Sequence, residues 1–166
     1  MGIPRRALDH LSAAITDVYR LGPGDRVLQF SSIVFDGSIE EIFPPLYAGA
    51  TVVVRDEEML SSPARFLERC AALGITILHV PTAYWHELVD AMAEDGLTLP
   101  ACVRVVSVGG EEMRADRLSR WRGLDLDPQV RLVNVYGPTE CTVIATWDDV
   151  AGPLAVLDEP QRQPPR

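Results

Sequence analysis

The feature that most constrains the fold of this chain is a repeated alternation of short apolar segments with longer segments of helical periodicity. The apolar runs predict strands at 26–30, 51–54, 75–79, 103–108 and 130–135. The periodic segments predict helices at 6–20, 38–48, 63–73, 81–93 and 114–121, whereas the residues after 142 show no clear pattern. Alternating strands and helices are typical of parallel βαβ units. We therefore predict an α/β fold, a single domain over 1–166 with a mostly parallel, flavodoxin-like sheet and helices on both faces.

Charge and composition exclude several classes of function. The formal net charge of −9 and the lack of a basic stripe argue against binding to nucleic acid. No apolar run approaches the roughly 20 residues that span a bilayer, and no signal peptide is recognisable. Cys70, Cys102 and Cys141 lack the spacing of metal ligands, so we expect reduced thiols. We expect a cytoplasmic protein that makes no contact with membranes.

Four polar loops, at 31–38, 80–82, 109–111 and 136–140, follow predicted strands. In a parallel sheet such loops open at one edge, where ligands bind. The segment 134–142 (NVYGPTECT) supplies an amide, an aromatic ring, a turn, a hydroxyl and a carboxylate. A ring can cover a base, a hydroxyl can donate to a phosphate, and a carboxylate can hold Mg²⁺. The alternative is an ordinary strand-to-helix turn with Thr139 as N-cap.

Four motifs in order resemble those of the adenylate-forming, AMP-binding superfamily, and in particular the amino-acid-activating adenylation domains of nonribosomal peptide synthetases. They are 136–140 (YGPTE), the core signature; 35–38 (FDGS), similar to Phe-Asp-x-Ser; 108–111 (VGGE), similar to a Gly-Gly-Glu loop; and 2–6 (GIPRR), similar to the end of a phosphate loop. The resemblance covers nearly the whole chain. Since only the end of the phosphate loop matches, and no ribose-binding aspartate or lid lysine follows YGPTE, we interpret 1–166 as a partial adenylation domain, an excised central subdomain.

The resemblance implies ATP and Mg²⁺ as cofactors of the parent enzyme. The residues it assigns to the nucleotide are Gly109, Gly110, Glu111, Asn134, Tyr136, Gly137 and Thr139. Tyr136 would stack on adenine, Asn134 would hydrogen-bond it, and Thr139 would hold the α-phosphate. Glu140 would be the metal ligand, so that Thr139 and Glu140 are the candidate catalytic residues. Taken alone, the Gly109-Gly110 pair is also consistent with a simple turn.

Asp36 is the candidate for recognition of the amino acid. A carboxylate that follows an apolar strand can pair with a substrate ammonium, and the family uses the corresponding aspartate in this way. Without the resemblance, an N-cap for the predicted helix 38–48 explains Asp36 equally well.

The resemblance also assigns a pocket for the side chain of the amino acid. Its lining would be Gly37, Glu40, His79, Ser107, Gly109, Val135, Val143 and Ile144. A buried Glu40 needs a partner. A cationic substrate would supply one, or His79 would, which leaves a pocket for a polar neutral side chain; His79 is also consistent with an ordinary core histidine. We favour a basic or strongly polar amino acid over an aliphatic one.

The parent enzyme is thereby expected to form an aminoacyl-adenylate from an amino acid and ATP. It would then load the acyl group onto the phosphopantetheine thiol of a peptidyl carrier protein, and this chain alone is expected to be inactive. One alternative is a fragment of an acyl- or aryl-CoA ligase, in which Asp36 would have no ammonium to bind. The other is a flavodoxin-like binding module without chemistry.

Overall fold

A computed structural model of the chain describes residues 2–155 and contains one sheet of six strands. The strands are β1 (Arg26–Gln29), β2 (Thr51–Val54), β3 (Ile77–Pro81), β4 (Val105–Gly109), β5 (Arg131–Tyr136) and β6 (Thr146–Ala151). The helices are α1 (Arg5–Tyr19), α2 (Gly37–Tyr47), α3 (Pro63–Ala72), α4 (Thr82–Asp95) and α5 (Ala115–Arg122), with short 3₁₀ turns at Glu57–Leu60 and Thr139–Cys141. In this described part of the chain, none of the helices is long and apolar enough to cross a membrane.

The strand order is β2-β1-β3-β4-β5-β6, and β1 to β5 are parallel. Its first five strands follow the flavodoxin-like order, so the predicted mostly parallel α/β sheet is confirmed. The chain leaves β1 towards β2 and returns to β3 on the other side of β1. The gap between β1 and β3 is therefore the point where the strand order reverses, the usual place for a ligand in such a sheet.

The sheet separates two apolar layers, because successive side chains of a strand point to opposite faces. Leu28, Leu78, Val106 and Leu132 lie in the larger layer, against apolar residues of α3, α4 and α5. Their neighbours Val27, Ile77, Val105 and Val133 lie in the smaller layer, against α1 and Ile39 of α2. Both faces are thus covered, as a buried parallel sheet requires.

Two central strands begin later than the sequence pattern predicted. Strand β3 starts at Ile77 and not at 75, and β4 starts at Val105 and not at 103. Ile75 and Val103 are buried in the core although they precede the strands, so their apolar character extended the prediction too far. His79 and Ser107 lie within these two strands, directly opposite each other in register.

Strand β6, which the sequence did not predict, is antiparallel to β5 at the edge of the sheet. Its centre is Asp148-Asp149, and aspartate is depleted in strands. Arg131 of β5 resolves this conflict, because its guanidinium binds the Asp149 carboxylate with Nε–Oδ1 and NH2–Oδ2 distances of 2.7 and 2.8 Å. Both side chains are largely buried. A cross-strand ion pair thus stabilises a strand whose own residues do not predict it.

Candidate functional site

A cavity of about 610 Å³ opens at the carboxyl ends of the parallel strands, a size typical of small-molecule sites. All the residues predicted to bind the amino acid line it: Asp36, Gly37, Glu40, His79, Ser107, Gly109, Val135, Val143 and Ile144. Four of the residues predicted for the nucleotide also line it: Gly109, Gly110, Glu111 and Gly137. The fold therefore brings the predicted amino-acid residues, which come from separate parts of the chain, into one place.

Two glycines allow the chain to pass close to itself beside this cavity. A Cβ atom on Gly109 would lie 2.7 Å from Val135 Cγ2 and 2.8 Å from the Val135 carbonyl oxygen. A Cβ atom on Gly137 would lie 2.7 Å from the amide nitrogen of Ala145. Since real Cβ atoms do not approach so closely, both positions exclude larger residues for steric reasons.

Three buried polar side chains that line the cavity, Glu40, His79 and Ser107, contact a fourth, Tyr19, and we term the four the floor cluster. The Tyr19 hydroxyl donates to Glu40 Oε1 at 2.6 Å and lies 2.9 Å from Ser107 Oγ. Burial and the neighbouring Glu40 carboxylate raise the pKa of Tyr19 well above its ordinary value. Tyr19 therefore stays a neutral hydrogen-bond donor.

His79 lies next to Glu40, so it is one of the two partners that the sequence allows for this carboxylate. His79 Nδ1 lies 3.0 Å from Glu40 Oε1, and both side chains are more than 90% buried. Nδ1 makes no hydrogen bond of good geometry with residues 2–155, so this contact is an ion pair when His79 is protonated. Burial lowers the pKa of His79, but attraction by Glu40 and by Glu41 outweighs it and the pKa is raised. His79 is therefore a buried histidine with a neighbouring carboxylate as its partner, and it also lines the cavity.

Glu41, which the sequence analysis did not single out, holds the loop after β1. Its side chain is fully buried. Its carboxylate accepts hydrogen bonds from the Phe30 amide (3.0 Å), the Ser31 amide (3.0 Å) and the Ser31 hydroxyl (2.7 Å). Burial raises the pKa of Glu41, and His79 together with the Ser31 bonds opposes the rise. Because Phe30 and Ser31 line the cavity, Glu41 positions one of its walls.

Asp36, which lines the cavity, contacts Thr139, although 103 residues separate them in sequence. The Thr139 hydroxyl donates a hydrogen bond to the Asp36 carboxylate. Asp36 precedes α2 but makes no capping hydrogen bond, and Pro138, not Thr139, occupies the N-cap position of the following 3₁₀ turn. Thr139 is therefore not a helix cap, and Asp36 occupies the N-cap position of α2 without a capping bond from its side chain.

The other residues predicted for the nucleotide lie on the surface beside the cavity. The Tyr136 side chain is 69% exposed, Glu140 is exposed and Asn134 is partly buried. Thr139 lines a second, largely apolar cavity of about 290 Å³, which Asp36 also lines. Within residues 2–155, no cluster of three or more His, Cys, Asp or Glu side chains could hold a metal ion. Glu140 thus stands as an isolated carboxylate.

Sequence reasoning missed Tyr19 and Glu41 for different reasons. Tyr19 falls on the apolar stripe of α1, so its position predicts a core residue and gives no sign of its hydroxyl contacts. Glu41 did leave a signal, because a second carboxylate directly after Glu40 sits among apolar residues of α2. A carboxylate at such a position needs several donors, and the nearest available ones are the amides that follow β1.

The family model of AMP-binding enzymes matches residues 5–165 of the chain. An isonitrile lipopeptide synthase from Streptomyces coeruleorubidus is 50% identical over 159 residues, which are 95% of this chain and 11% of that protein. Tyrocidine synthase 3 from Brevibacillus parabrevis is 32% identical over 142 residues, 84% of this chain and 2% of that protein. The chain thus spans a small fraction of the length of these relatives.

A solved structure of the nonribosomal peptide synthetase FmoA3, in its AMPPNP-bound form, superimposes with a TM-score of 0.78 at 28% identity. The match covers 89% of this chain and 16% of that one. The structure of CmiS6 matches with a TM-score of 0.73 at 30% identity, over 89% of this chain and 35% of that one. The predicted resemblance is confirmed: the chain belongs to the family of AMP-binding enzymes and corresponds to a part of an adenylation domain of the nonribosomal peptide synthetases.

Proposed function

We propose that this chain is the central α/β part of an amino-acid-activating adenylation domain. In the whole enzyme, a carboxylate oxygen of the amino acid attacks the α-phosphorus of ATP, an acyl–phosphate bond forms, and pyrophosphate leaves. The aminoacyl group then passes to the phosphopantetheine thiol of a peptidyl carrier protein, and AMP is released. The match to synthases of lipopeptides and peptides supports this reaction class.

The observation that carries the proposal is the contact between Asp36 and Thr139. In an aminoacyl-adenylate only the Cα, the carbonyl carbon and one oxygen separate the ammonium nitrogen from the phosphorus. Groups that bind the ammonium and the phosphate must therefore be close neighbours. Asp36 is an acceptor for an ammonium and Thr139 a donor for a phosphate, and their adjacency fits a ligand that carries both groups.

The exposed residues of the surface beside the cavity fit a nucleotide with Mg²⁺. Tyr136 presents a free ring on which adenine would stack, with Asn134 as the hydrogen-bonding partner of the base. Gly109, Gly110 and Glu111 would form the wall next to the adenosine. Mg²⁺ usually binds one or two protein carboxylates together with substrate phosphates and water, so Glu140 alone is a sufficient protein ligand. The bound ion would neutralise phosphate charge.

The charges of the cavity favour a basic or strongly polar side chain on the amino acid. Its carboxylates are Asp36, Glu40, Glu41 and Glu111, and its cationic groups are Arg55 and His79. Even with His79 protonated, the lining therefore carries an excess of negative charge. A cationic ligand is attracted to such a cavity, whose walls exclude much of the screening water.

We also infer a cytoplasmic location and a partial adenylation domain over 1–166. The three cysteines are free thiols, which fits a reducing compartment. The matches to short parts of much longer synthases support the second inference. Adenylation and thiol loading then require the rest of the adenylation domain and the carrier protein.

The test is calorimetric titration of the chain with two mimics in which a sulfamate replaces the acyl phosphate. One mimic carries the α-amino group and the other carries hydrogen in its place. We expect the amino mimic to bind more tightly by about 1.5–3 kcal/mol, the range for a hydrogen bond to a charged group. Asp36→Ala should remove this difference, whereas Asp95→Ala, at the exposed end of α4, should preserve it.

Equal affinity of the wild-type chain for both mimics would contradict an ammonium site and favour a carboxylic-acid:CoA ligase. Failure to bind either mimic would favour a binding module without chemistry. A difference that survives in Asp36→Ala would place the ammonium at another carboxylate of the cavity, with Glu111 as the next variant to test.

A further inference from the structure

Tyr19 touches the cavity residues without lining the cavity itself. It is the last residue of α1, its side chain has no exposed surface, and it lies below the cavity lining. It contacts one residue on each of three elements: Glu40 of α2, Ser107 of β4 and His79 of β3, whose ring centre lies 5.3 Å from that of Tyr19. A single buried side chain therefore holds three polar groups of the floor cluster in fixed relation.

The direction of the protons in this cluster follows from the chemistry of its members. A tyrosine hydroxyl has one proton, and the carboxylate of Glu40 can only accept. Tyr19 therefore donates to Glu40, and Ser107 must donate its own proton to Tyr19 across the 2.9 Å contact. The Ser107 oxygen is left with lone pairs alone. Ser107 thus offers the cavity an acceptor and no donor.

Glu40 also offers the cavity an acceptor. Tyr19 and His79 both approach Oε1, at 2.6 and 3.0 Å. Oε2 accepts no hydrogen bond from residues 2–155, yet it is not among the unpaired atoms sealed from solvent. Since Glu40 lines the cavity, its Oε2 oxygen opens onto it.

We propose that Tyr19 is a specificity-determining positioning residue, which holds Glu40 by Oε1 so that Oε2 faces the cavity and selects an amino acid with a cationic amine side chain. The inference rests on the proposed function. An ammonium group carries three donors and no acceptor, so it matches a floor that presents Glu40 Oε2 and Ser107 Oγ. Without the Tyr19 hydroxyl, the Glu40 carboxylate is free to turn both oxygens towards His79.

The experiment is an NMR titration of the isotope-labelled chain with L-ornithine and with L-norleucine. The two side chains have the same length and end in an ammonium and a methyl group, so the ratio of their dissociation constants measures the preference for charge. We expect the wild-type chain to bind ornithine more tightly. In Tyr19→Phe this ratio should fall by at least about tenfold, equivalent to about 1.4 kcal/mol, with little change for norleucine.

Tyr84→Phe is the matched control. The Tyr84 hydroxyl is also buried but has no hydrogen-bond partner in the described part of the chain. Its removal should leave the ratio unchanged. A second measurement covers the case in which Tyr19→Phe does not fold. In the wild-type chain, we expect burial to slow the exchange of the Tyr19 hydroxyl proton enough for NMR detection, and its signal should shift on addition of ornithine but not of norleucine.

The possible outcomes separate this inference from the proposed function. An unchanged ratio in Tyr19→Phe, or an equal weakening of both amino acids, would overturn the role of Tyr19 and leave the function intact. The same holds if the hydroxyl proton responds to neither amino acid while ornithine binds. Tighter wild-type binding of norleucine would overturn the cation preference. Failure of the wild-type chain to bind either amino acid would count against the proposed function itself.

Discussion

The floor cluster and the turn at 136–145 are both predicted to contact ligands, but the protein holds their side chains in opposite ways. Tyr19, His79 and Ser107 are at most 6% exposed, and each contacts at least one other polar member of the cluster. In the turn, Tyr136 is 69% exposed, and the side chain of Glu140 accepts no hydrogen bond from residues 2–155.

This difference indicates which binding region has its side chains fixed before a ligand arrives. Side chains locked by burial and hydrogen bonds lose little freedom when a ligand arrives, which favours affinity and selectivity. Exposed side chains such as Tyr136 must lose that freedom on binding. We therefore expect the amino-acid pocket to be preformed in this chain, whereas the nucleotide surface becomes ordered only with its ligand.

The strongest test of the buried region is Glu41→Ala. The substitution leaves the buried amide of Phe30 and the partly buried amide of Ser31 without an acceptor. We expect the free energy of unfolding to fall by about 3 kcal/mol, the upper end for hydrogen bonds to a charged group. Urea denaturation measures the loss, with Glu140→Ala as a control of little effect. Similar losses of stability in Glu41→Ala and Glu140→Ala would contradict the difference between the buried region and the exposed turn.

Gly137→Ala tests whether every position of the exposed turn tolerates substitution. The added Cβ atom would lie 2.7 Å from the Ala145 amide nitrogen and 2.8 Å from the Ile144 Cα. We expect a destabilisation of about 1–3 kcal/mol, typical of overpacking, measured by the same denaturation. Gly24→Ala, where a Cβ atom meets nothing within 4 Å, should change stability little. An unchanged free energy of unfolding in Gly137→Ala would mean that the turn can move to make room for the added Cβ atom.

The pH dependence of stability probes the ion pair of the floor. The pKa of His79 is raised in the folded chain above an unfolded value of about 6.5. The stabilisation by protonated His79 is therefore complete below about pH 6.5 and is lost as the pH rises through the folded pKa. Its size is about 1.4 kcal/mol per unit of pKa difference. His79→Gln should flatten this part of the profile; an unchanged profile would show that His79 titrates normally.

The smallest expected effect belongs to Tyr136→Ala. Because the ring is mostly exposed, the free energy of unfolding should change by no more than about 0.5 kcal/mol. The binding of an adenosine ligand should nevertheless weaken, since stacking on an aromatic ring contributes about 1–3 kcal/mol. Thermal denaturation and calorimetry separate the two quantities. A large loss of stability would show that Tyr136 is a structural residue.

The sequence predicted the first five strands because their short apolar runs alternate with segments of helical periodicity. It did not predict β6, whose two aspartates depend on Arg131 from another strand. It identified Glu40 and His79, but it could not determine that they pair, because α2 and β3 meet only in the folded chain. Tyr19 was beyond prediction for the same reason, since a buried hydroxyl is defined by partners distant in sequence.

The register of the central strands limits how this pocket can change during evolution. His79 and Ser107 face each other within β3 and β4, and the strands on both sides fix that alignment. An insertion or deletion of one residue there would turn the following side chains to the opposite face. New selectivity in a descendant can therefore arise at these positions by substitution alone. Changes of length are left to the loops beyond the strand ends, such as 31–36.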